Sequence, residues 1–117
     1  MASDNEHCGD RGRECTITIS NPVLRGMYPD PSWIWDATRE EIVLVNSSFE
    51  LVPGLPIHTT RDLVTWTRTA NAVDETMSHR LLIDGVEDSG GLYAPTIRRI
   101  GGRYVIVCTV ARVDEVK

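Results

Sequence analysis

The chain has 117 residues, of which 41% are apolar and 25% are charged, a balance typical of one small globular domain or of part of a larger one. Twelve Lys and Arg residues against seventeen Asp and Glu give a net charge of −5, which argues against binding to nucleic acid or anionic lipid because phosphate groups are bound by basic surfaces. No apolar run approaches the roughly 20 residues that cross a bilayer. The polar, acidic first residues lack the features of a signal peptide, so we expect a cytoplasmic protein without membrane contact.

The predicted elements are short strands that follow a polar leader. Residues 1–15 carry many charges and almost no apolar side chain, which predicts a flexible leader. Alternating, β-branched or aromatic runs bounded by turn residues then predict strands at residues 16–20, 32–36, 41–46, 55–60 and 64–69, followed by the hairpin pair 92–100 and 103–110 around a Gly-Gly turn. No segment shows helical periodicity beyond a single turn at residues 61–63, and the polar segment 70–91 predicts a long loop.

The spacing of these strands predicts an all-β fold. Four strand signals lie between Ser32 and Thr69, and four antiparallel strands in under about fifty residues are the size of one propeller blade. A second unit then begins near Leu92. The pattern alone leaves a seven-stranded β-sandwich equally open.

The three cysteines do not predict a metal centre. Cys8 and Cys15 lie in the polar leader and Cys108 in an apolar run. A structural zinc ion needs about four closely spaced ligands, and His7, Cys8 and Cys15 lack a second ligand pair. We therefore expect unpaired thiols and no bound metal.

Asp30 is the first candidate for chemistry, because it stands between two prolines in the segment Tyr28-Pro-Asp-Pro-Ser32. The prolines restrict the backbone on both sides and so fix the carboxylate. A fixed carboxylate suits a general base that meets one water molecule from one direction. The alternative is a turn in which Asp30 caps a nearby N–H group, and the local sequence alone favours it.

Aromatic side chains are the second group of candidates. Phe49, the single phenylalanine, ends a strand, where it could stack on a sugar ring or close a small core, and the sequence alone favours the core. Trp33, Trp35 and Trp66 fall inside strand signals, which predicts packing between sheets. His58 is expected to be a hydrogen-bonded structural histidine. Ser47 and Ser48 lack the strand, turn and helix context of a catalytic serine.

Six segments in order resemble the family 43 glycoside hydrolases of the β-xylosidase and α-arabinofuranosidase type. They span most of residues 20–110 and are residues 21–32 (NPVLRGMYPDPS), 47–50 (SSFE), 53–58 (PGLPIH), 61–66 (RDLVTW), 88–95 (DSGGLYAP) and 101–107 (GGRYVIV). Each segment is a weak signal alone, but their order and spacing make the resemblance specific. The resemblance implies a five-bladed β-propeller, of which residues 16–117 hold about the first two blades, and so favours the propeller over the sandwich.

The resemblance also implies hydrolysis of xylo- or arabino-oligosaccharides with inversion of configuration. Inverting enzymes place a base and an acid carboxyl group about 6.5–9.5 Å apart, with the attacking water between them. By resemblance Asp30 is the general base, and Phe49 and Tyr93 contact the sugar. Tyr93 stands where the family commonly has tryptophan, which changes the aromatic face and adds a hydroxyl group.

The same resemblance places other functional groups beyond Lys117. These are the general acid, the aspartate that tunes its pKa, and the ligand of a calcium ion often found on the propeller axis. We therefore expect no cofactor in this chain and an N-terminal piece that is inactive alone. The alternative is a non-catalytic β-module that binds sugars through Trp33, Trp35 and Tyr93. The sequence does not distinguish xylose from arabinose or predict an oligomeric state.

Overall fold

A computed structural model describes residues 16–81 and 90–112 of the chain. Its elements are β1 (Ser32–Asp36), β2 (Glu41–Val45), β3 (Gly54–Thr60), β4 (Thr67–Val73), α1 (Glu75–Leu81), β5 (Gly91–Ile100) and β6 (Arg103–Ala111). The predicted leader at residues 1–15 lies outside the described residues, and so does most of the second half of the predicted loop. Within the described part, no helix is long and apolar enough to cross a membrane.

The strands form two antiparallel sheets. Strands β1, β2, β3 and β4 pair in chain order to form the first sheet, and β5 and β6 form the second sheet. Gly101 and Gly102 make the turn between β5 and β6, both with positive φ, as a two-residue hairpin turn of this type requires. A four-stranded meander followed by the start of a second one confirms the predicted blade-sized units.

The hydrophobic core lies between the two sheets. Strand β2 contributes Val43 and Val45, strand β3 contributes Leu55, and the second sheet contributes Leu92 and Ile97, all of them buried. Val43 and Val45 are two apart on β2 and so share one face of the sheet. Leu92 and Ile97 are five apart, and a register shift of β5 between Tyr93 and Thr96 lies between them. Contact with the second sheet therefore explains the apolar side chains of Val43 and Val45.

Asp36, at the end of β1, accepts hydrogen bonds from residues of the second sheet. Its Oδ1 atom accepts a hydrogen bond from Arg99 Nη1 at 2.6 Å and another from the Thr38 amide at 2.9 Å. Its Oδ2 atom accepts a hydrogen bond from the Tyr104 hydroxyl group. The Tyr104 bond, with the backbone amides and Arg99, holds the pKa of Asp36 below its usual value, and the same bond raises the pKa of Tyr104.

Three predictions of secondary structure are wrong. Residues 16–20 are exposed and form no strand, because an alternating pattern is stable as a strand only when it pairs with a neighbour. Strand β4 covers Thr67–Val73 rather than residues 64–69, and the predicted loop contains helix α1. Asp74 caps this helix, since its Oδ1 atom accepts a hydrogen bond from the Met77 amide at 2.7 Å.

The expectation that tryptophans pack between the sheets is wrong for two of them. Trp33 and Trp35 are 61% and 53% exposed, on the face of β1 that points away from the second sheet. Trp66 is partly buried, and its Nε1 atom donates a hydrogen bond to the Leu63 carbonyl at 3.2 Å. The alternation of β1 places Ile34 towards the core and therefore both flanking tryptophans on the opposite face.

His58 is buried on β3 and packs edge-on against the ring of Tyr28. Its Nδ1 atom has no hydrogen-bond partner among the described residues, so the expectation of a hydrogen-bonded histidine is not met at this atom. Burial lowers the pKa of His58, and the positive charge of Arg68 lowers it further. The imidazole is therefore held in its neutral form.

Candidate active site

Asp30 lies at the entrance to β1, in the loop that leads into the first sheet. The side chain is exposed, and the residue has a φ of 51°, in the left-handed region that costs an ordinary residue roughly 1–2 kcal/mol. Pro29 precedes it and Pro31 follows it, so the rings limit the freedom of the backbone on both sides. The sequence prediction that this carboxylate is conformationally restricted agrees with this geometry.

Hydrogen bonds from residues at the end of β2 hold the loop that carries Asp30. The Asn46 side-chain amide donates hydrogen bonds to the carbonyl groups of Tyr28 at 2.7 Å and Pro29 at 3.2 Å. The Ser47 backbone amide donates to the same Pro29 carbonyl at 3.0 Å. Because Asn46 and Ser47 are almost fully buried, these bonds are shielded from water and hold the loop firmly.

Ser47 also contacts the Asp30 side chain directly. Its Oγ atom lies 2.6 Å from Asp30 Oδ2, as the donor of a hydrogen bond. The Ala94 backbone amide donates a second hydrogen bond, of 2.7 Å, to Ser47 Oγ. The side chain of Ser47 therefore connects the Asp30 loop to β5 of the second sheet.

A short antiparallel bridge fixes the second sheet beside this serine. Phe49 and Leu92 pair through two hydrogen bonds, of 3.0 Å from the Phe49 amide and 2.8 Å from the Leu92 amide. Gly91 permits this approach, because a Cβ atom on it would lie 1.8 Å from the Phe49 carbonyl oxygen. Gly91 therefore allows the second sheet to lie directly against the end of the first sheet.

Phe49 and Tyr93 form a stacked aromatic pair across the junction of the two sheets. Their ring centroids are 4.4 Å apart and the rings are inclined by 22°. Both side chains are partly exposed, and Phe49 does not belong to the core cluster of the described residues, so the expectation of a core role for Phe49 is wrong. The bridge to Leu92 brings Phe49 beside Tyr93, the next residue along β5.

The structure brings the three predicted site residues into one neighbourhood. Asp30 is bonded to Ser47, which lies two residues before Phe49, and the partner of Ser47 on the second sheet is Ala94, the neighbour of Tyr93. Asp30, Phe49 and Ala94 all have positive φ, of 51°, 53° and 46°. Strained non-glycine residues cluster at functional sites more often than elsewhere, because the surrounding structure must hold them there.

The described residues offer no obvious metal centre. Among residues 16–81 and 90–112, no group of three or more His, Cys, Asp or Glu side chains could hold a metal ion, and calcium prefers six to eight oxygen ligands. No described residue is therefore assigned to a metal.

Comparison with known proteins decides the family. Residues 19–117 match the family model of glycosyl hydrolases family 43. The chain belongs to this family. A xylan 1,3-β-xylosidase from a Vibrio species is 34% identical over 89 residues, which are 76% of this chain and 16% of that protein. A non-reducing end α-L-arabinofuranosidase from Bacteroides ovatus is 38% identical over 93 residues, which are 79% of this chain and 17% of that protein.

Solved structures of family 43 proteins share the fold. The crystal structure of a xylan β-1,4-xylosidase from Bacillus halodurans aligns with a TM-score of 0.72 at 30% identity, over 84% of this chain and 18% of that one. A family 43 protein from Bacillus licheniformis aligns with a TM-score of 0.67 at 35% identity, over 75% of this chain and 16% of that one. These neighbours are five-bladed β-propellers, so the chain is all-β, as predicted, and corresponds to part of such a propeller. The chain spans about one sixth of the length of the curated relatives it matches.

Sequence reasoning missed two residues of this candidate site. Asn46 and Ser47 hold the Asp30 loop, but the serine was considered only as a nucleophile and the asparagine was not considered. The available signal was a run of three polar residues, Asn46, Ser47 and Ser48, directly after the apolar strand β2. Polar side chains at a buried strand end must find hydrogen-bond partners, and here those partners build the site.

Proposed function

We propose that this chain supplies the base-bearing part of a family 43 glycoside hydrolase that cleaves xylo- or arabino-oligosaccharides with inversion. The names of its relatives, a xylan 1,3-β-xylosidase and an α-L-arabinofuranosidase, support this substrate class. The single observation that carries the proposal is the exposed Asp30 carboxylate, held by buried Ser47 beside an aromatic pair.

In this mechanism Asp30 acts as the general base. Its carboxylate removes a proton from a water molecule as the water oxygen attacks the anomeric carbon, opposite the leaving group. A second carboxyl group protonates the leaving oxygen at the same time, which requires a separation of about 6.5–9.5 Å from the base. We assign this acid to no residue of the present chain, because the curated relatives are about six times longer than the matched segment.

The aromatic pair has a separate role in this mechanism. Phe49 and Tyr93 cover one face of each other, so the sugar contacts the remaining exposed surface of the pair. An aromatic face packs against the C–H groups of a sugar ring, and the Tyr93 hydroxyl group can donate or accept one hydrogen bond. The pair therefore orients the sugar ring, while Asp30 acts on the water.

The test uses both the isolated chain and a chimera. In the chimera, residues 19–117 of this chain replace the matched segment of the Bacillus subtilis β-xylosidase, to which the chain is 35% identical over 99 residues. We expect no turnover of aryl β-xylosides or aryl α-arabinofuranosides by the isolated chain, and measurable turnover by the chimera. Asp30→Asn lowers kcat of the chimera about 10²–10⁴-fold, because an amide does not accept the proton of the attacking water.

The matched control is Glu40→Gln in the same chimera. Glu40 is also an exposed acidic residue with positive φ, 53°, but it lies in the turn between β1 and β2. Its substitution is expected to leave kcat within about twofold, since exposed positions away from the site contribute little. A folded chimera in which both substitutions have the same effect would contradict the role of Asp30.

A second candidate function is sugar binding without cleavage. Trp33 and Trp35 are exposed on one face of β1, and exposed aromatic rings bind sugars in many proteins by stacking. In this alternative, xylo-oligosaccharides quench the tryptophan fluorescence of the isolated chain, Trp33→Ala removes the quenching, and the folded chimera hydrolyses no glycoside. Hydrolysis that depends on Asp30 decides for the enzyme.

A further inference from the structure

The side chain of Ser47 has two partners that together determine the direction of its hydroxyl group. Ala94 donates its amide proton to Ser47 Oγ at 2.7 Å, and Asp30 Oδ2 lies 2.6 Å from the same oxygen. A hydroxyl group has one proton to donate. Because a backbone amide only donates, the Ser47 proton must point to Asp30.

We propose that Ser47 is a positioning residue for the general base, which selects the carboxylate oxygen that takes the proton from water. This inference rests on the proposed function. The Ser47 hydroxyl group donates its proton to Asp30 Oδ2, and none of the hydrogen bonds among the described residues involves Asp30 Oδ1. Oδ1 is therefore the oxygen left to accept the proton, while Oδ2 stays bonded to the serine.

The bond suits a group that must present one oxygen in a fixed direction. A hydroxyl group donates a short, strong hydrogen bond to a carboxylate oxygen, and the 2.6 Å contact holds Asp30 Oδ2 in place. Ser47 is itself fully buried, and its side chain has few alternative positions. The carboxylate is therefore held at one oxygen in a fixed direction, which orients the other oxygen.

The second sheet participates through Ala94. This residue has a φ of 46° and lies within the register shift of β5 between Tyr93 and Thr96, which directs its amide away from β6 and towards Ser47. Docking of β5 against the first sheet thus orients the Ser47 hydroxyl group. In this way the same strand that carries Tyr93 also orients the base.

The first test is NMR spectroscopy of the isolated chain, which needs no enzymatic activity. The Ala94 amide resonance is expected to shift in Asp30→Asn, a substitution of an exposed residue, because the Asp30 carboxylate polarises that amide through the Ser47 hydroxyl group. The Leu55 amide is the internal control, since it donates to Ser48 Oγ at 3.0 Å and its resonance should not move in this variant.

The second test measures kinetics in the chimera. Ser47→Ala is expected to lower kcat by about ten- to a hundredfold, the value of a hydrogen bond to a charged group, with less change in KM. Ser48→Ala is the matched control, because it removes the buried acceptor of the Leu55 amide without contact to Asp30, and its kcat should fall much less.

The outcomes separate the two proposals. An Ala94 resonance that is unchanged in Asp30→Asn overturns the Ser47 proposal whatever the chimera does. Equal losses of kcat in Ser47→Ala and Ser48→Ala also overturn it. A folded chimera without hydrolysis, together with an Ala94 resonance that shifts in Asp30→Asn, contradicts the proposed function and leaves the hydrogen-bond chain established.

Discussion

Gly91→Ala is expected to separate the two sheets at the candidate site. A Cβ atom built on Gly91 lies 1.8 Å from the Phe49 carbonyl oxygen, 2.1 Å from its carbon and 2.6 Å from the Glu50 nitrogen. All three are backbone atoms, so no side-chain rotation can relieve the contact. Strand β5 must move away from Phe49.

The magnitude follows from the contacts that this movement breaks. Three backbone hydrogen bonds join the strands here, from Ser48 and Phe49 to Leu92 and from Leu92 to Phe49, and each contributes about 1 kcal/mol. The φ of 101° at Gly91 adds about 1–3 kcal/mol for a residue with a side chain. The free energy of unfolding should fall by about 4 kcal/mol or more, a large part of the usual 5–15 kcal/mol.

Gly102→Ala is the matched control for backbone conformation. Gly102 also has a positive φ, 78°, but no described atom lies within 4 Å of its built Cβ atom, so only the conformational cost of about 1 kcal/mol remains. Urea unfolding followed by tryptophan fluorescence measures both variants. Equal losses of unfolding free energy in Gly91→Ala and Gly102→Ala would refute the steric reasoning.

Three further predictions concern pH and packing. Burial lowers the pKa of His58 in the folded chain, so the unfolded chain takes up the proton first and the free energy of unfolding falls as pH drops through about 6.5. Thermal scans should show this fall, and its persistence in His58→Phe would contradict the assignment. The pKa of Asp36 is lowered chiefly by the hydrogen bond from Tyr104, so the free energy of unfolding decreases as pH falls through about 3.9. Urea unfolding should show a smaller decrease on acidification in Tyr104→Phe. An unchanged decrease would contradict this assignment. Ile97→Ala, at a fully buried core position, should lower the free energy of unfolding by about 2–5 kcal/mol in the same assay. A decrease below about 1 kcal/mol would show that Ile97 is not packed as described.

The strands that were predicted well from the sequence are those whose residue pattern lies within the strand and its flanking turns. Strands β1, β2, β3, β5 and β6 lie within about one residue of the predicted ranges, because each combines β-branched or aromatic residues with turn residues at its ends. Strand β4 and residues 16–20 were predicted less well. Whether an alternating run becomes a strand depends on a neighbouring strand, and that neighbour is determined by the tertiary structure.

Helix α1 was missed although a local signal existed. Asp74 stands at its N-cap and Glu75 in its first turn, which is a typical start of a helix. The helix has only seven residues, too few for helical periodicity to be visible. The exposure of Trp33 and Trp35 was also unpredictable from pattern alone, since alternation shows that two residues share a face but not which face meets the core.

The candidate site was predicted in part. The prolines around Asp30 indicated a fixed carboxylate, but which group holds it depends on the contact between Asp30 and Ser47, 17 residues apart, and between Ser47 and Ala94, 47 residues apart. Such contacts form only when the two sheets are assembled.

Azide rescue of Asp30→Gly tests the role of Asp30 most directly. Glycine accepts the φ of 51° at this position without strain, so the variant of the chimera loses the carboxylate and keeps the backbone. Azide attacks a sugar without needing a base to remove a proton. We predict that azide restores turnover of aryl glycosides and yields a glycosyl azide of inverted configuration. A folded variant that retains hydrolysis in water, or that gains nothing from azide, would contradict the assignment of Asp30 as the general base.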